Sequence, residues 1–525
     1  MNLSFVEPLE SRIAPANLVS ANVVTYTDPD GDTVTVSTTK GTFVLGTNIH
    51  FVSSGVPGGE QLVDIVPDAA FAKGNLTVAV TTKVGDGEAD VGFINALGVD
   101  LTNVVVKGDL GRIAVGDLEP KTTSVKLLQV DSLGVKGLTT QNNAGNLVSN
   151  IVGKVGKLLV VKNGIKDAHV DVTGGLTNGG IATVDITGDI QGGTAADSGR
   201  ISVEGSIKKL TVHGFVKGDA GDRSGSIIAL GNLGGVIIDK DLEGGTADKS
   251  GFIGASGSLK SLTVANVEGG TTAGSTNSGQ IASGGDMGKV IVRGTILGGD
   301  GKFSGYINCL GLLKSATITG NLMGGTGDES GVVFGNKGIK SLIAGSIANG
   351  LGNVSGGVDS GAFLSSLKVN TDIAGLMGHA VNISAKGDIK KLYVGGSVSF
   401  ANILAGYDKA TPTNENAKIG SVTILGNYDT TNIVAGVKDV NADGFGNADD
   451  IKINATTDSI ISTIGKIVIG GVVNQTAGQF GITAEYVKSM TLGPTKTKVV
   501  LQKNAHSDTT PVVIVTGISV REVPA

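Results

Sequence analysis

The sequence contains no tryptophan, only 6 Tyr and 13 Phe, and a single cysteine in 525 residues. Aromatic side chains usually contribute the largest buried areas in a globular enzyme, so another kind of side chain must fill the core of this protein. One cysteine, Cys309, excludes an internal disulfide and therefore a disulfide-stabilised scaffold. Charged residues make up 17 % of the chain and apolar residues 40 %, which is the reverse of the balance typical of disorder.

Long apolar runs are also missing, because none approaches the ~18–20 residues that a membrane-spanning helix needs. The first sixteen residues lack the basic segment followed by an apolar segment that marks a secretory signal. The short apolar runs therefore predict no transmembrane segment. The net charge is −6, with no basic stripe, so we do not expect nucleic acid as a partner.

Glycine is abundant, with 85 residues, more than twice the ordinary share of about 7 %. The strict three-residue period of collagen is absent. The dipeptide Ser-Gly instead recurs at spacings of 26, 26, 28, 26, 26 and 30 residues. Its serines are Ser198, Ser224, Ser250, Ser278, Ser304, Ser330 and Ser360.

The positions after each serine follow a common pattern of strand and corner residues. Apolar residues recur 3, 9, 12 and 14 places after the serine, and glycine recurs after 7, so short β-strands separated by glycine corners are expected. The pattern predicts an all-β parallel β-helix of about 26 residues per coil, with these apolar residues facing inward. Between residues 90 and 480 it would hold about 15 coils and extend roughly 70 Å.

The predicted organisation has four parts. Residues 1–20 form an N-terminal sorting-like segment, 21–88 an N-terminal β cap, 89–480 the β-helix and 481–525 a C-terminal β cap. The motif NILAG at 402–406 returns as NIVAG at 432–436, thirty residues later, whereas the strands that follow, at 419 and 464, lie forty-five apart. The difference predicts an insertion of about fifteen residues, the loop 438–452.

This loop matches the twelve-position pattern of a calcium-binding loop, in which oxygen ligands alternate along the chain and a glycine turns the backbone. The predicted Ca²⁺ ligands are Asp439, Asn441, Asp443, the carbonyl of Phe445, Asn447 and Asp450. The alternative is a solvated turn without an ion.

Other acidic groups are better explained as structure. Asp28, Asp30 and Asp32 also alternate, but five residues between two strands are what a tight hairpin needs. Asp222, Asp248 and Asp328 recur at one offset beside basic residues, which indicates a charge-balanced, solvated edge.

No catalytic or cofactor-binding residue is predicted. The five histidines are scattered along the chain, and His213 is expected at the surface. Cys309 lies beside an inward position and is expected either to be packed or to point outward, in both cases without a chemical role. A carbohydrate-cleaving groove would be poorly supplied with aromatic platforms, since Trp is absent and Tyr scarce.

The segment FVEPLESRIAPA at 5–16, the Ser-Gly repeat and the inserted DGFGNADD together resemble large, repeat-rich exported proteins of planctomycete and verrucomicrobial bacteria, which open on a PLExR-type segment. The resemblance implies a secreted or cell-surface protein and transfers location better than activity. Asn447 stands where such turns often have Thr, which adds an oxygen ligand.

We therefore expect an exported structural or adhesive rod without catalytic activity. Its partners would be cell-envelope or matrix components, polysaccharide among them, with homotypic assembly as a further option. Two alternatives remain: a polysaccharide lyase or hydrolase built on a β-helix, and a self-assembling surface-layer subunit. A cleft that gathers carboxylates and basic residues would favour the enzyme, and an even scatter of charge would favour the rod.

Overall fold

The structure is a computed structural model that describes residues 16–56, 58–117, 122–454, 461–474, 480–499, 512–515 and 518–523. The chain is all-β and forms a β-solenoid of about 16 turns, spaced roughly 26 residues apart. The predicted parallel β-helix is confirmed. The N-terminal sorting-like segment lies outside the described residues, apart from its last five positions.

The chain divides into two compact units. The first takes in residues 1–191, 198–214 and 229–231, and the second 192–197, 215–228 and 232–525.

The first unit begins with antiparallel strands and continues as parallel coils. The antiparallel strands are Asn17–Ser20, Val23–Thr27, Thr33–Thr38, Ile49–Ser53, Glu60–Ile65 and Asn75–Thr82. The last two of these also pair in parallel with the strands that follow. The coil strands are Val91–Leu97, Leu101–Gly116, Thr123–Leu133, Val148–Val152, Lys154–Lys166, His169–Thr173, Ile181–Ile186, Ile190–Gln191, Arg200–Val203 and Ile207–Val212. Short helical turns occur at Ala69–Phe71, Gly137–Gln141 and Gly175–Asn178.

Each coil of the second unit contributes to three columns of parallel strands. The first column contains Ser226–Ala229, Phe252–Ala255, Gln280–Ser283, Tyr306–Cys309, Val332–Gly335, Gly357–Ser360, Val381–Ala385, Gly481–Ala484 and Ile518–Glu522. The second contains Leu233–Ile238, Leu259–Val264, Met287–Val292, Leu313–Met323, Leu342–Ala348, Leu367–Val369, Ile389–Val394, Lys418–Ile424, Thr463–Ile469, Tyr486–Val487 and Met490–Leu492. The third contains Val216–Lys217, Leu242–Glu243, Val267–Glu268, Ile296–Leu297, Ile373–Ala374 and Val473–Asn474. The strands Val398–Ala405 and Tyr428–Ala435 run from the third column into the first, and the remaining strands are Tyr407–Asp408, Thr411–Pro412, Val437–Lys438, Ile451–Lys452, Thr497–Val499 and Val512–Val515.

The core consists of aliphatic ladders at the positions that the repeat predicts. Ile253, Ile281 and Ile307 pair in register on successive coils and have no exposed surface. Leu233, Leu259 and Met287 form an equivalent ladder in the second column. Burial of each such side chain contributes about 1.5–3 kcal/mol, so stacked aliphatic residues do the work that aromatic residues do in most globular cores.

The recurring serine stabilises the backbone of the corner through hydrogen bonds. The hydroxyl of buried Ser304 accepts a hydrogen bond from the amide of Gly299 at 2.9 Å and donates one to the carbonyl of Gly301 at 2.6 Å. Gly305, the residue after it, has φ of +56°, and a Cβ there would lie 2.1 Å from the carbonyl oxygen of Leu297. The dipeptide therefore combines a hydroxyl that satisfies buried backbone groups with a residue that tolerates a left-handed conformation.

Glycine seven places after the serine serves another purpose. A Cβ on Gly311 would lie 2.5 Å from the amide nitrogen of Asp286 on the preceding coil. Close approach of two coils, rather than a positive φ, requires glycine at this corner.

The prediction that Ser360 continues the Ser-Gly series is wrong. Ser360 ends a first-column strand and pairs with Gly335. The equivalent corner is made by Ser355, whose hydroxyl accepts from the Gly350 amide at 3.1 Å, and by Gly356, which has φ of +60°. The coil from Ser330 to Ser355 is therefore 25 residues long. The later dipeptide Ser360-Gly361 matches the Ser-Gly pattern at the end of the strand Gly357–Ser360 but does not form the corner.

Candidate functional site

The insertion leaves the solenoid through a short antiparallel stem. Val437–Lys438 pairs with Ile451–Lys452, which leaves residues 439–450 as a loop. Val437 is buried with Tyr407 and Val434 in an apolar cluster against which the Phe445 side chain packs. The loop is thus anchored to the coils at its stem and at its middle.

Three carboxylates of the loop converge. One oxygen atom from each of Asp439, Asp443 and Asp449 lies within 4.8 Å of the others. Asp439 also organises the turn, because Oδ1 accepts from the Ala442 amide and Oδ2 from the Gly444 amide, both at 2.8 Å. Carboxylate oxygens gathered at this spacing match the preference of Ca²⁺ for hard oxygen ligands.

Of the other predicted ligand residues in the middle of the loop, Asn441 and Asn447 hydrogen-bond to this group, whereas the Phe445 carbonyl is directed at the solenoid. The amide of Asn441 donates to Asp439 Oδ1 and to Asp449 Oδ2, both at 3.1 Å. Asn447 donates through Nδ2 to Asp443 Oδ1, while its own Oδ1 is buried and accepts no hydrogen bond. The Phe445 carbonyl lies against Gly481, where a Cβ would come within 2.6 Å of it.

Asp450 stands apart from the converging group. Its side chain is fully buried, with Oδ2 accepting from the Gly446 amide at 2.5 Å and Oδ1 accepting no hydrogen bond. Burial raises the pKa of this carboxyl to about 7, against the opposing effect of Arg521. The structure therefore brings Asp439 and Asp443 together with Asp449, whereas Asp450 faces the interior.

The acidic motif near the N-terminus forms the predicted hairpin turn. Thr27 pairs with Thr33 in an antiparallel ladder, and Asp28 Oδ1 accepts from the Asp32 amide at 2.8 Å. Asp32 in turn accepts from the amides of Gly85 and Gly87, each at 2.6 Å. Carboxylate oxygens of the three aspartates also lie within 4.8 Å of one another.

More acidic side chains surround this turn and line a cavity of about 130 Å³. Besides Asp28 and Asp30 the lining includes Asp86, Glu88 and Asp90. Burial raises the pKa of Asp28 to about 7 and that of Asp90 to about 6, since a desolvated carboxylate near others is costly to ionise. Lys136, whose Nζ lies 3.7 Å from Asp90, is the cation in the lining.

Outward charges along the coils pair with neighbours about one coil away. Lys217 lies 2.8 Å from Glu243, and Arg223 holds Asp197 through two hydrogen bonds of 2.6 and 3.0 Å. Two members of the predicted acidic series bond backbone amides of the next coil, Asp248 that of Thr276 and Asp328 that of Asn353. This agrees with a charge-balanced edge.

One group of opposite charges is partly buried. The Glu329 carboxylate is shared by Lys302 at 3.7 Å and Lys409, which forms the shorter contact. Buried Asp359 accepts from Ser384 at 2.7 Å and from the Lys409 amide at 3.3 Å, and burial raises its pKa. Lys302 and Lys409 offset the charge of Glu329, whereas Asp359 Oδ2 is buried without a hydrogen-bond partner.

His213 lies at the surface, as the sequence predicts, and Cys309 is packed rather than directed outward. His213 is exposed, with Nε2 3.4 Å from Asp185 Oδ1. Cys309 is fully buried, and burial raises the pKa of its thiol, which disfavours the reactive thiolate.

A groove of about 490 Å³, which was not predicted from the sequence, lies on the second unit beside the loop 439–450. Asn382, Asn402 and Asn432 line it from successive coils. The repeated NILAG and NIVAG motifs carried the signal, because their asparagines are two members of this series.

Comparison with known proteins identifies no relative, since no family model, curated protein or solved structure matches the chain. In the part of the chain that the structure describes, no helix has the length and apolar character needed to cross a membrane.

Proposed function

We propose that the protein is an exported structural and adhesive β-solenoid of the cell surface or matrix, without a catalytic role. The observation that supports this most directly is the use of its polar side chains. Corner serines bond the backbone of their own coil, and outward charges such as Lys217 and Glu243 join neighbouring coils.

These interactions are individually weak and collectively useful. An exposed ion pair contributes about 0.2–1 kcal/mol, and a typical hydrogen bond about 1 kcal/mol. In a repeat protein such terms add along the chain as contacts between neighbouring repeats. A protein whose polar side chains hydrogen-bond and ion-pair with neighbouring coils is suited to act as a scaffold.

The partly buried charges fit the same role. The Glu329 carboxylate contacts both Lys302 and Lys409, which belong to separate coils of the second unit. This supports a cohesive function for the Glu329 ion pairs.

We further propose that the loop 439–450 binds Ca²⁺ and that the ion stabilises the loop on the solenoid. The converging oxygens of Asp439, Asp443 and Asp449 provide three hard ligands. The buried Asn447 Oδ1, which accepts no hydrogen bond, is a fourth oxygen in the same loop. Calcium at one hundred times its dissociation constant would add about 2.7 kcal/mol to the stability of the folded loop.

Terbium luminescence tests the calcium proposal, because the lanthanide takes the same oxygen ligands and the chain has no Trp to obscure excitation through Tyr. Tyr407 is buried next to the loop, where Asp450 and Asp439 add to the effect of burial in raising its pKa. We expect Tb³⁺ emission that Ca²⁺ displaces, that is lost in a variant with Asp439→Asn and Asp443→Asn, and that falls strongly in Tyr407→Phe.

The matched control is Tyr26→Phe, since Tyr26 lies beside the acidic turn at Asp28 rather than beside the loop. Loss of emission in this control alone would place the ion at the turn. Emission unchanged by the double substitution, or a folded loop indifferent to EDTA and Ca²⁺, would contradict the proposal.

Fractionation of the native cells tests the location. We expect recovery with the envelope or the medium, and release of the envelope-bound fraction by washing with chelator if calcium contributes to attachment. Recovery in the cytoplasmic fraction would overturn the surface role.

A further inference from the structure

The groove beside the loop 439–450 has the size of a small-molecule site, at about 490 Å³. Its walls come from several coils of the second unit and from Ala442, Asp443 and Gly444 of the loop. We propose that this groove binds a neutral oligosaccharide.

The first argument is an amide ladder along one wall. Asn402 donates through Nδ2 to Asn382 Oδ1 at 3.2 Å, and Asn432 donates to Asn402 Oδ1 at 2.8 Å. The series continues to the Gly481 amide, which donates to Asn432 Oδ1 at 3.0 Å. Each side-chain amide has two N–H groups and two acceptor sites, so the ladder uses only part of its capacity.

The ladder offers donors and acceptors in alternation, at about the 4.8 Å spacing of adjacent strands. A sugar hydroxyl is itself both a donor and an acceptor. A row of hydroxyl groups can therefore satisfy such a wall, whereas a purely anionic or purely cationic ligand matches only half of it.

An unsatisfied amide at the edge of the groove adds to this argument. Asn349 donates to the carbonyl of His379, but its Oδ1 is buried and accepts no hydrogen bond. Buried acceptors without partners are rare and costly. Asn349 lines the groove, so the polar groups of this wall are not fully used within the protein.

Two aromatic side chains, Phe400 and Phe480, supply apolar surface in the groove. Phe400 has φ of +48°, a conformation uncommon for a bulky residue. Thr430 makes the same bend one coil later with φ of +45°, so the bend belongs to the fold. The feature specific to position 400 is a half-buried ring that contacts no other aromatic ring among the described residues. Such a ring packs well on the C–H face of a sugar.

The charge of the lining selects the class of sugar. Among the lining residues Asp443 is the acidic one, and the lining contains neither Lys nor Arg. Without Ca²⁺ on the loop, an acidic polysaccharide would bring carboxylates towards Asp443 with neither lysine nor arginine in the lining to receive them. Side-chain amides, aromatic rings and the absence of lysine and arginine together favour a neutral chain.

This inference rests on the proposed surface function for its biological setting, because it names the class of partner that an adhesive solenoid would hold. The groove itself is defined by the second unit alone, so its binding can be measured on the purified full-length chain.

The test is calorimetric titration of the full chain against neutral hexasaccharides of glucose, mannose and galactose and against hexagalacturonic acid, with Ca²⁺ and again in EDTA. We expect at least one neutral hexasaccharide to bind, and any binding of the acidic one to disappear in EDTA. Phe400→Ala should weaken binding about tenfold, and Asn402→Leu by a similar factor.

Asn321→Leu is the matched control, since Asn321 accepts a hydrogen bond from Ser346 at 2.8 Å on an exposed strand away from the groove lining. Its affinity should stay at the wild-type value. Because Asn402→Leu interrupts the ladder, its melting curve must be compared with that of Phe400→Ala, which leaves the ladder intact.

Binding of hexagalacturonic acid alone, no binding of any neutral sugar, or equal affinity in wild type, Phe400→Ala and Asn402→Leu would overturn the proposal. The outcome is separable from the surface role. Envelope recovery without sugar binding would refute only the groove, and sugar binding by a cytoplasmic protein would refute only the location.

Discussion

Removal of one corner hydroxyl should loosen one coil measurably. In Ser304→Ala the Gly299 amide loses its acceptor and the Gly301 carbonyl its donor, at a position where the serine side chain is fully buried. An unsatisfied buried donor costs about 1–3 kcal/mol, and the hydroxyl cannot be replaced by water without opening the corner. We expect a loss of about 2 kcal/mol in the local stability of this coil.

Hydrogen exchange with mass spectrometry is the appropriate assay, because a long solenoid need not unfold as a single two-state unit. A loss of about 2 kcal/mol corresponds to roughly 30-fold faster exchange of the amides at residues 295–310. Ser315→Ala, at a half-buried outward strand position of the next coil, should leave these rates unchanged. Equal protection in Ser304→Ala and wild type would refute the role assigned to the repeated serine.

Three further perturbations test the ladders, the charges and the acidic turn. Ile307→Ala should cost about 2–5 kcal/mol, because the side chain is fully buried between stacked neighbours, and a loss below 1 kcal/mol by denaturant titration would contradict the ladder. Arg223→Gln should cost at most about 1 kcal/mol and less at high salt, and a larger, salt-independent loss would show that the pair is not a surface interaction. The folded pKa of Asp90 is about 6, above the unfolded value of about 3.9, so its contribution to stability is present below pH 4 and lost as pH rises through 6. Asp90→Asn in EDTA should therefore match wild type at pH 4 and exceed it by about 1–3 kcal/mol at pH 8, whereas equal stability at both values would exclude the shift.

The coil was predictable because its signals are local and repeated. Ile281 and Met287 sit at offsets where only an inward aliphatic residue fits, and the same offsets recur on coil after coil. Ser360 was misassigned because a dipeptide does not reveal its own conformation. Only the pairing of Ser360 with Gly335 shows that it lies in a strand, one coil of 25 residues after Gly335.

The site was less predictable, because it depends on the direction of side chains. Spacing alone cannot show that Asp449 lies with Asp439 and Asp443 while its neighbour Asp450 faces the interior. The groove depends on asparagines that lie 20 and 30 residues apart in sequence and become neighbours only when the coils stack. A search for polar residues repeated at the coil period would have found Asn402 and Asn432.

We propose that this solenoid is a scaffold exposed at the cell surface. Protease treatment of intact native cells provides a direct test of that exposure. The released peptides are identified by mass spectrometry, with a cytoplasmic enzyme as the control for lysis. We predict release of peptides from the coils of this chain under conditions that leave the cytoplasmic control intact. Release only after the cells are broken would contradict the account.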